Sequence, residues 1–397
     1  MTHLLPAAAL GHLSATRKSG DAARRVLSPT DFATAREEIT SWPGYEPTPL
    51  VSLGSLAKAI NVAEVLYKDE GPRFGLGSFK ALGGSYAALK VLQRELTDRF
   101  GHDVALADIR GGTYASQIAK ITLVSATDGN HGRSLAWGCQ RVGAPCRIYI
   151  HSEVSEGRER AMADLGATVI RISGDYDASV ELAKKEAEEN GWFVVSDTSW
   201  PGYTLPPRDV MAGYGVMTQE ICDTLDQPPT HVFLQGGVGG LAAGVVASFR
   251  QVWDDAAPRV IIVEPELAAC LFASAQSGQA THVDIAEETL MAGLSCGEPS
   301  ALAWEILAEE ADDFLTVPET LVGPAVRLLA RPLPGDPAIE AGESAIAGLA
   351  ALIAARGDDA LSSKLALDTA SRVLLIGSEG VTDPAIFQKI MSGRDAA

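Results

Sequence analysis

Ile121-Thr-Leu-Val-Ser-Ala126-Thr-Asp-Gly-Asn130-His-Gly-Arg-Ser-Leu-Ala-Trp-Gly-Cys-Gln-Arg-Val142-Gly-Ala-Pro-Cys146-Arg-Ile-Tyr-Ile150 reads as strand, turn, helix and strand. Short apolar runs at 121–126 and 146–150 flank a helical pattern at 132–142, the order of a βαβ unit. Downstream the alternation continues, with helical patterns at 156–165 and 176–190 and strands at 168–172 and 192–196. Continuous apolar runs, rather than alternating ones, describe strands covered on both faces, as in a parallel sheet. Further on come a helix at 208–225, a strand at 231–234, a helix at 241–253 and a strand at 259–263. Several helices and a strand at 372–376 complete the chain. Upstream, 62–68 is strand-like, and a helical pattern runs from 81 to about 96.

The strands fall into two groups. The expected fold is α/β with two parallel-sheet domains, the smaller (86–205) inserted in the larger (1–85 and 206–397). A ligand is expected in the cleft between them, beyond the carboxyl ends of the strands.

A chain of 397 residues with 46% hydrophobic and 21% charged residues can bury a large core. A formal net charge of −19 argues against nucleic acid or an anionic membrane as partner, because both demand a basic face. No apolar run approaches transmembrane length. Near the N-terminus a Leu/Ala patch precedes Arg17, Lys18, Arg24 and Arg25, the reverse of the order in a secretion signal, so a cytoplasmic location is expected. Five cysteines lack metal or redox spacing, and no metal site is expected.

Four stretches carry chemistry. In Arg73-Phe-Gly-Leu-Gly-Ser-Phe79-Lys80-Ala-Leu-Gly-Gly-Ser-Tyr86, Lys80 stands at a helix start beside Phe79. The helix dipole and apolar neighbours both favour a neutral amine there, as Schiff-base chemistry requires; the plainer reading is a surface lysine. Gln235-Gly236-Gly237-Val238-Gly239-Gly240 lies between a strand and a helix, where free amides cradle phosphate. The same segment, with Glu264 ending the next strand, also approximates a dinucleotide fingerprint. Ser125-Ala-Thr127-Asp128-Gly129-Asn130-His131-Gly-Arg133 offers amides and Thr127 to a carboxylate, and Asn130 to a ring oxygen. It can equally be a turn with a capping residue. Finally, Leu375-Ile-Gly-Ser378-Glu-Gly380 places a hydroxyl at a strand end, where it can meet a heteroaromatic nitrogen or simply make a turn.

Lysine in Ser-Phe-Lys80, then Gly-Asn130-His, then the five-residue glycine loop, then the late Gly-Ser378-Glu-Gly resembles the tryptophan-synthase-like, fold type II, pyridoxal-phosphate (PLP) enzymes. Pro-Gly-Tyr45-x-Pro-Thr-Pro, Lys-Asp-Glu70-x-x-Arg-Phe-Gly-Leu, Asp197-Thr-x-Trp-x-Gly-Tyr203 and Met291-Ala-Gly-Leu-x-Cys-Gly-Glu-Pro299 narrow this. With Asp128, where relatives acting on serine or threonine carry a small residue, they resemble the diaminopropionate ammonia-lyase family from about 41 to 386.

The resemblance implies that Lys80 joins PLP covalently. It also implies that Asn130 meets the ring hydroxyl, that Gly236, Gly237, Val238, Gly239 and Gly240 hold the phosphate, and that Ser378 faces the pyridine nitrogen. Asp128 and Asp197 match two functional acids, and Thr127, Asp128, Gly129 and His131 the substrate-carboxylate loop. Homodimers are implied, and Cys270 and Cys296 align with a pair that forms a disulfide in some members; free thiols are the other reading. The chain departs from the family at Leu205-Pro-Pro-Arg208-Asp209 and in the polar stretch 98–118.

The expected activity is elimination of ammonia from 2,3-diaminopropionate, L and also D, giving pyruvate and two ammonia. A serine or threonine dehydratase of the same fold is the alternative, and an NAD-dependent oxidoreductase the alternative of another class.

Overall fold

The computed structural model describes residues 4–15, 21–127, 129–174 and 176–393. Eleven strands lie among them. In chain order they are β1 (Gly11–Ser14), β2 (Leu50–Ser52), β3 (Glu64–Asp69), β4 (Leu123–Ala126), β5 (Cys146–Ile150) and β6 (Thr168–Arg171). They continue as β7 (Phe193–Val194), β8 (His231–Gln235), β9 (Arg259–Pro265), β10 (Asp313–Val317) and β11 (Arg372–Gly377). The chain divides into two compact α/β units. One comprises Met1–Pro29, Pro47–Ser78 and Met217–Ala397, and the other Thr30–Glu46 and Phe79–Val216.

The larger unit holds a seven-stranded sheet in the order β1-β10-β9-β8-β11-β3-β2. Its interior pairs are parallel and its two edges, β1 on β10 and β2 on β3, antiparallel. Val232 to Leu234, Val260 to Val263 and Val373 to Leu375 are essentially inaccessible, as expected for strands covered on both faces. Each such aliphatic side chain contributes about 1.5–3 kcal/mol relative to exposure. Helices Val322–Ala330 and Ala347–Arg356 supply much of the core on this sheet.

Beneath the β3 end of the sheet, four charged side chains are buried together. Arg73 donates from Nη1 to Glu220 at 2.7 Å and from Nη2 to Glu70 at 2.8 Å. Lys68 Nζ donates to Glu220 Oε2 at 2.6 Å and to the Thr48 carbonyl at 2.7 Å. None of the four is more than 6% exposed. Burial alone would raise the Glu220 carboxyl, but Arg73 and Lys68 outweigh it and hold it below its ordinary range.

The smaller unit carries a four-stranded, all-parallel sheet in the order β6-β5-β4-β7. The helix Lys80–Phe100 lies against Asn130–Val142 at a separation only small residues permit. A methyl group on Gly138 would stand 2.8 Å from the Ser85 Cα, and one on Gly83 2.4 Å from the Tyr214 ring. These contacts explain why the units divide differently from the boundaries expected at 85/86 and 205/206. The whole Lys80–Phe100 helix packs with the smaller unit, as does the first half of Leu205–Thr224, through Val210, Gly213 and Tyr214. Residues 30–46 join it too, with Phe32 against Gly215.

A further difference from the sequence reading is physical. β10 was passed over because its apolar run is brief and follows Glu309-Glu-Ala-Asp-Asp313; pairing on both sides makes it a strand. The polar stretch 98–118 is partly helical, with turns at Leu106–Arg110 and Ala115–Ile118. Among the described residues no helix is long and apolar enough to cross a membrane.

Candidate active site

In the smaller unit the chemistry gathers at strand ends and helix starts. Lys80 is the first residue of its helix, and Phe79, at the cap position, packs edge-on to Tyr214 with ring centroids 4.6 Å apart. Lys80 Nζ donates to Asp197 Oδ2 at 2.5 Å, with the two side chains 20% and 14% exposed. Asp197 follows β7 and also faces His131, whose Nδ1 is 3.8 Å away. Burial alone would raise the Asp197 carboxyl; the charge of Lys80 and its hydrogen bond overcome it and hold the group well below the usual carboxylate range. It is therefore a carboxylate across the ordinary pH range.

His131 is 3% exposed, and its Nε2 donates to the Val195 carbonyl at 2.9 Å. Burial foremost, and Lys80 besides, lower its pKa against the pull of Asp197, so the ring is neutral, and its Nδ1 has no hydrogen-bond partner among the described residues. The imidazole is thus anchored to Val195, and its backbone amide is the part offered to a carboxylate. Thr127 Oγ1 accepts from the amides of Gly129 at 3.2 Å and Gly132 at 3.4 Å, fixing the turn into Asn130–Val142. Asn130 opens that helix. Asp128 lies outside the described residues.

In the larger unit the glycine loop joins β8 to the helix Gly240–Trp253. Gly237 and Gly239 take φ of 63° and 91°, the left-handed region in which a side chain is strained. The helix carries no acid in its first turn, and its first amides have no intrahelical acceptor. The Gly236 amide donates to the Val263 carbonyl at 2.8 Å and that of Gly239 to the Gly236 carbonyl at 3.2 Å, which fixes the turn at the helix start, a place that suits a phosphate. Ser378 follows β11 and is 4% exposed.

Glu264 decides against a dinucleotide. It is wholly buried, its carboxyl packs against Gly236, and it accepts the amides of Leu271 at 3.0 Å and Phe272 at 2.7 Å, capping Cys270–Ser277. A ribose-binding acid must instead be open to ligand. Burial pushes this carboxyl up to about 8, against the pull of the two amides. A group raised in the folded state stabilises fully below its unfolded pKa, about 4.3, and loses that contribution as pH rises through about 8. Urea midpoints of the native protein should therefore fall between pH 6 and pH 9 relative to those of Glu264→Gln; parallel profiles would contradict this.

Cys270 and Cys296 are free thiols. Sequence reasoning missed Glu220 and Tyr214, both inside an apolar helical pattern where neither type stands out.

Residues 41–378 match the family model described as pyridoxal-phosphate dependent enzyme. The chain is 37% identical over 372 residues to diaminopropionate ammonia-lyase of Escherichia coli K12, covering 92% of each. It is 35% identical over 365 residues to that of Salmonella typhimurium, covering 89% of this chain and 90% of the relative. It superposes on a crystal structure of the Escherichia coli enzyme with an aminoacrylate-PLP azomethine reaction intermediate with a TM-score of 0.86 at 33% identity, covering 99% of both chains. The length and identity of these matches show that the chain belongs to the pyridoxal-phosphate dependent enzymes of fold type II, in the diaminopropionate ammonia-lyase family.

Proposed function

We propose that this enzyme eliminates ammonia from 2,3-diaminopropionate, with water, to give pyruvate and two ammonia. The observation that carries the reading is the Lys80–Asp197 pair, an amine 2.5 Å from a carboxylate that stays ionised, at the helix start where the family's lysine is expected. Lys80 and the glycine loop Gly236 to Gly240 would hold PLP, with Asn130 toward the ring hydroxyl and Ser378 toward the ring nitrogen. When bound, PLP supplies an aldehyde for the lysine and then the substrate amine, and a ring that acidifies the α-proton.

Lys80 Nζ takes the α-proton from one face. Asp197 orients the amine through its short hydrogen bond and balances the charge as the amine becomes ammonium. His131, neutral and tied to Val195, does not compete with Asp197 for the Lys80 proton. Asp128, as a carboxylate, takes the α-proton from the other face, and its charge favours an ammonium over a hydroxyl on the substrate's β-carbon by about 1–3 kcal/mol. Ser378, being neutral, leaves the ring nitrogen unprotonated, which favours prompt loss of the β-substituent. The substrate carboxylate is taken by the 127–131 turn, through the Thr127 hydroxyl and the amide of His131. The working form is a homodimer, as the family resemblance implies.

Turnover of 2,3-diaminopropionate against serine tests the assignment; a clear preference for serine would make the enzyme a dehydratase. Asp128→Asn should reduce kcat/KM for the D-enantiomer about 10-fold or more beyond its effect on the L-enantiomer. Equal losses would assign Asp128 to binding alone.

A further inference from the structure

On the outer side of the paired helices Lys80–Phe100 and Asn130–Val142, within the smaller unit, is a cavity of about 400 Å³ lined by Trp42, Leu89, Arg110, Trp137, Arg141 and Val142. That volume is within the range of small-ligand sites. The Arg141 guanidinium lies 4.9 Å from the centroid of Trp42 and 4.5 Å from that of Trp137. The two indoles meet edge-on at 5.7 Å, so the guanidinium is held in place by the aromatic walls. It has no carboxylate partner among the described residues.

Arg110, by contrast, pairs with Glu38 at 2.6 Å, and Glu38 also accepts from Trp42 Nε1 at 2.8 Å. Two guanidinium groups against one carboxylate leave the cavity a single positive charge. Arg141 is partly withdrawn from water and repelled by Arg110, and together these outweigh the attraction of Glu38, so its charge is incompletely compensated.

We propose that this cavity is a binding site for a small monocarboxylate with a planar, apolar body, separate from the reaction site. The carboxylate takes the outward N–H groups of Arg141, a charge-assisted contact for which the fork geometry of arginine is suited. The body lies along Trp137, Leu89 and Val142. One negative charge matches the site, a second would be unopposed, and a neutral ligand would leave the cation unanswered.

Isothermal titration of the holoenzyme with phenylacetate and its neutral isostere phenylacetamide tests this. Phenylacetate is expected to bind at least about 10-fold more tightly than the amide, and Arg141→Gln to weaken it by about the same factor. Without added acid, the turnover of Arg141→Gln should match that of the native enzyme. Val142→Trp, which fills the cavity and keeps the charge, should abolish binding and serves alone if Arg141→Gln does not fold. The proposal is overturned if phenylacetate gives no heat up to about 10 mM, as when a second subunit covers the mouth. Equal binding of the amide overturns it too, and so does binding that survives the variants, which would put the acid in the substrate site.

Discussion

Replacing Lys80 by alanine should lower kcat for 2,3-diaminopropionate by at least about 10³-fold and abolish borohydride fixation of the cofactor. The size follows from the loss of two roles at once: the covalent attachment of the aldehyde, and the amine that Asp197 orients for proton transfer. Methylamine added to Lys80→Ala should restore part of the rate. Asp197→Asn keeps the attachment and loses only the fixed partner, so its visible absorbance should persist while kcat falls about 10- to 100-fold. An unchanged kcat in Asp197→Asn would reduce the 2.5 Å contact to packing. If Lys80→Ala retained both absorbance and rate, the assignment of the lysine would be lost.

The second large effect is on stability. Glu220→Ala should destabilise the fold by about 3–5 kcal/mol, because it leaves Lys68 and part of Arg73 charged and buried without their acceptor. The protein offers little relief: Lys68 is 1% exposed and keeps only the Thr48 carbonyl, while Arg73 keeps Glu70. Pairing Glu220→Leu with Lys68→Met should recover most of the loss, since removing opposite charges together restores neutrality. Urea midpoints of the single and double variants measure the difference. A single variant as stable as the native protein would mean that water reaches the cluster.

The contrast between these two places explains what the sequence made legible. Lys80, Asn130, the glycine loop and Ser378 are each a polar or glycine interruption at the junction of a strand and a helix, and such junctions are visible in one dimension. The strands at 146–150, 231–235 and 372–377 were equally plain, because burial on both faces demands unbroken apolar runs. Glu220 was not legible: it sits mid-helix, 147 positions from Arg73, and only tertiary packing makes them partners. The Arg141 cavity was hidden for a similar reason, since Trp42 and Trp137 belong to distant segments. Glu264 was noticed only as the acid of a rival dinucleotide reading, because strand-end acids look alike until their hydrogen bonds are known. The unit boundaries also escaped, since they depend on which surface the small residues of Lys80–Phe100 lie against.

The strand β1 has a practical bearing on how the protein is made. It covers the outer side of β10, with His12 opposite Leu315 and Leu13 opposite Phe314. A truncation or cleavage that removes residues up to 15 would bare the amides and carbonyls of Asp313–Val317 along an apolar margin. Such a margin recruits the same margin of another molecule. Shortened versions should therefore be more prone to clump during refolding, even with every catalytic group in place, and affinity tags are better appended at the front than substituted for it.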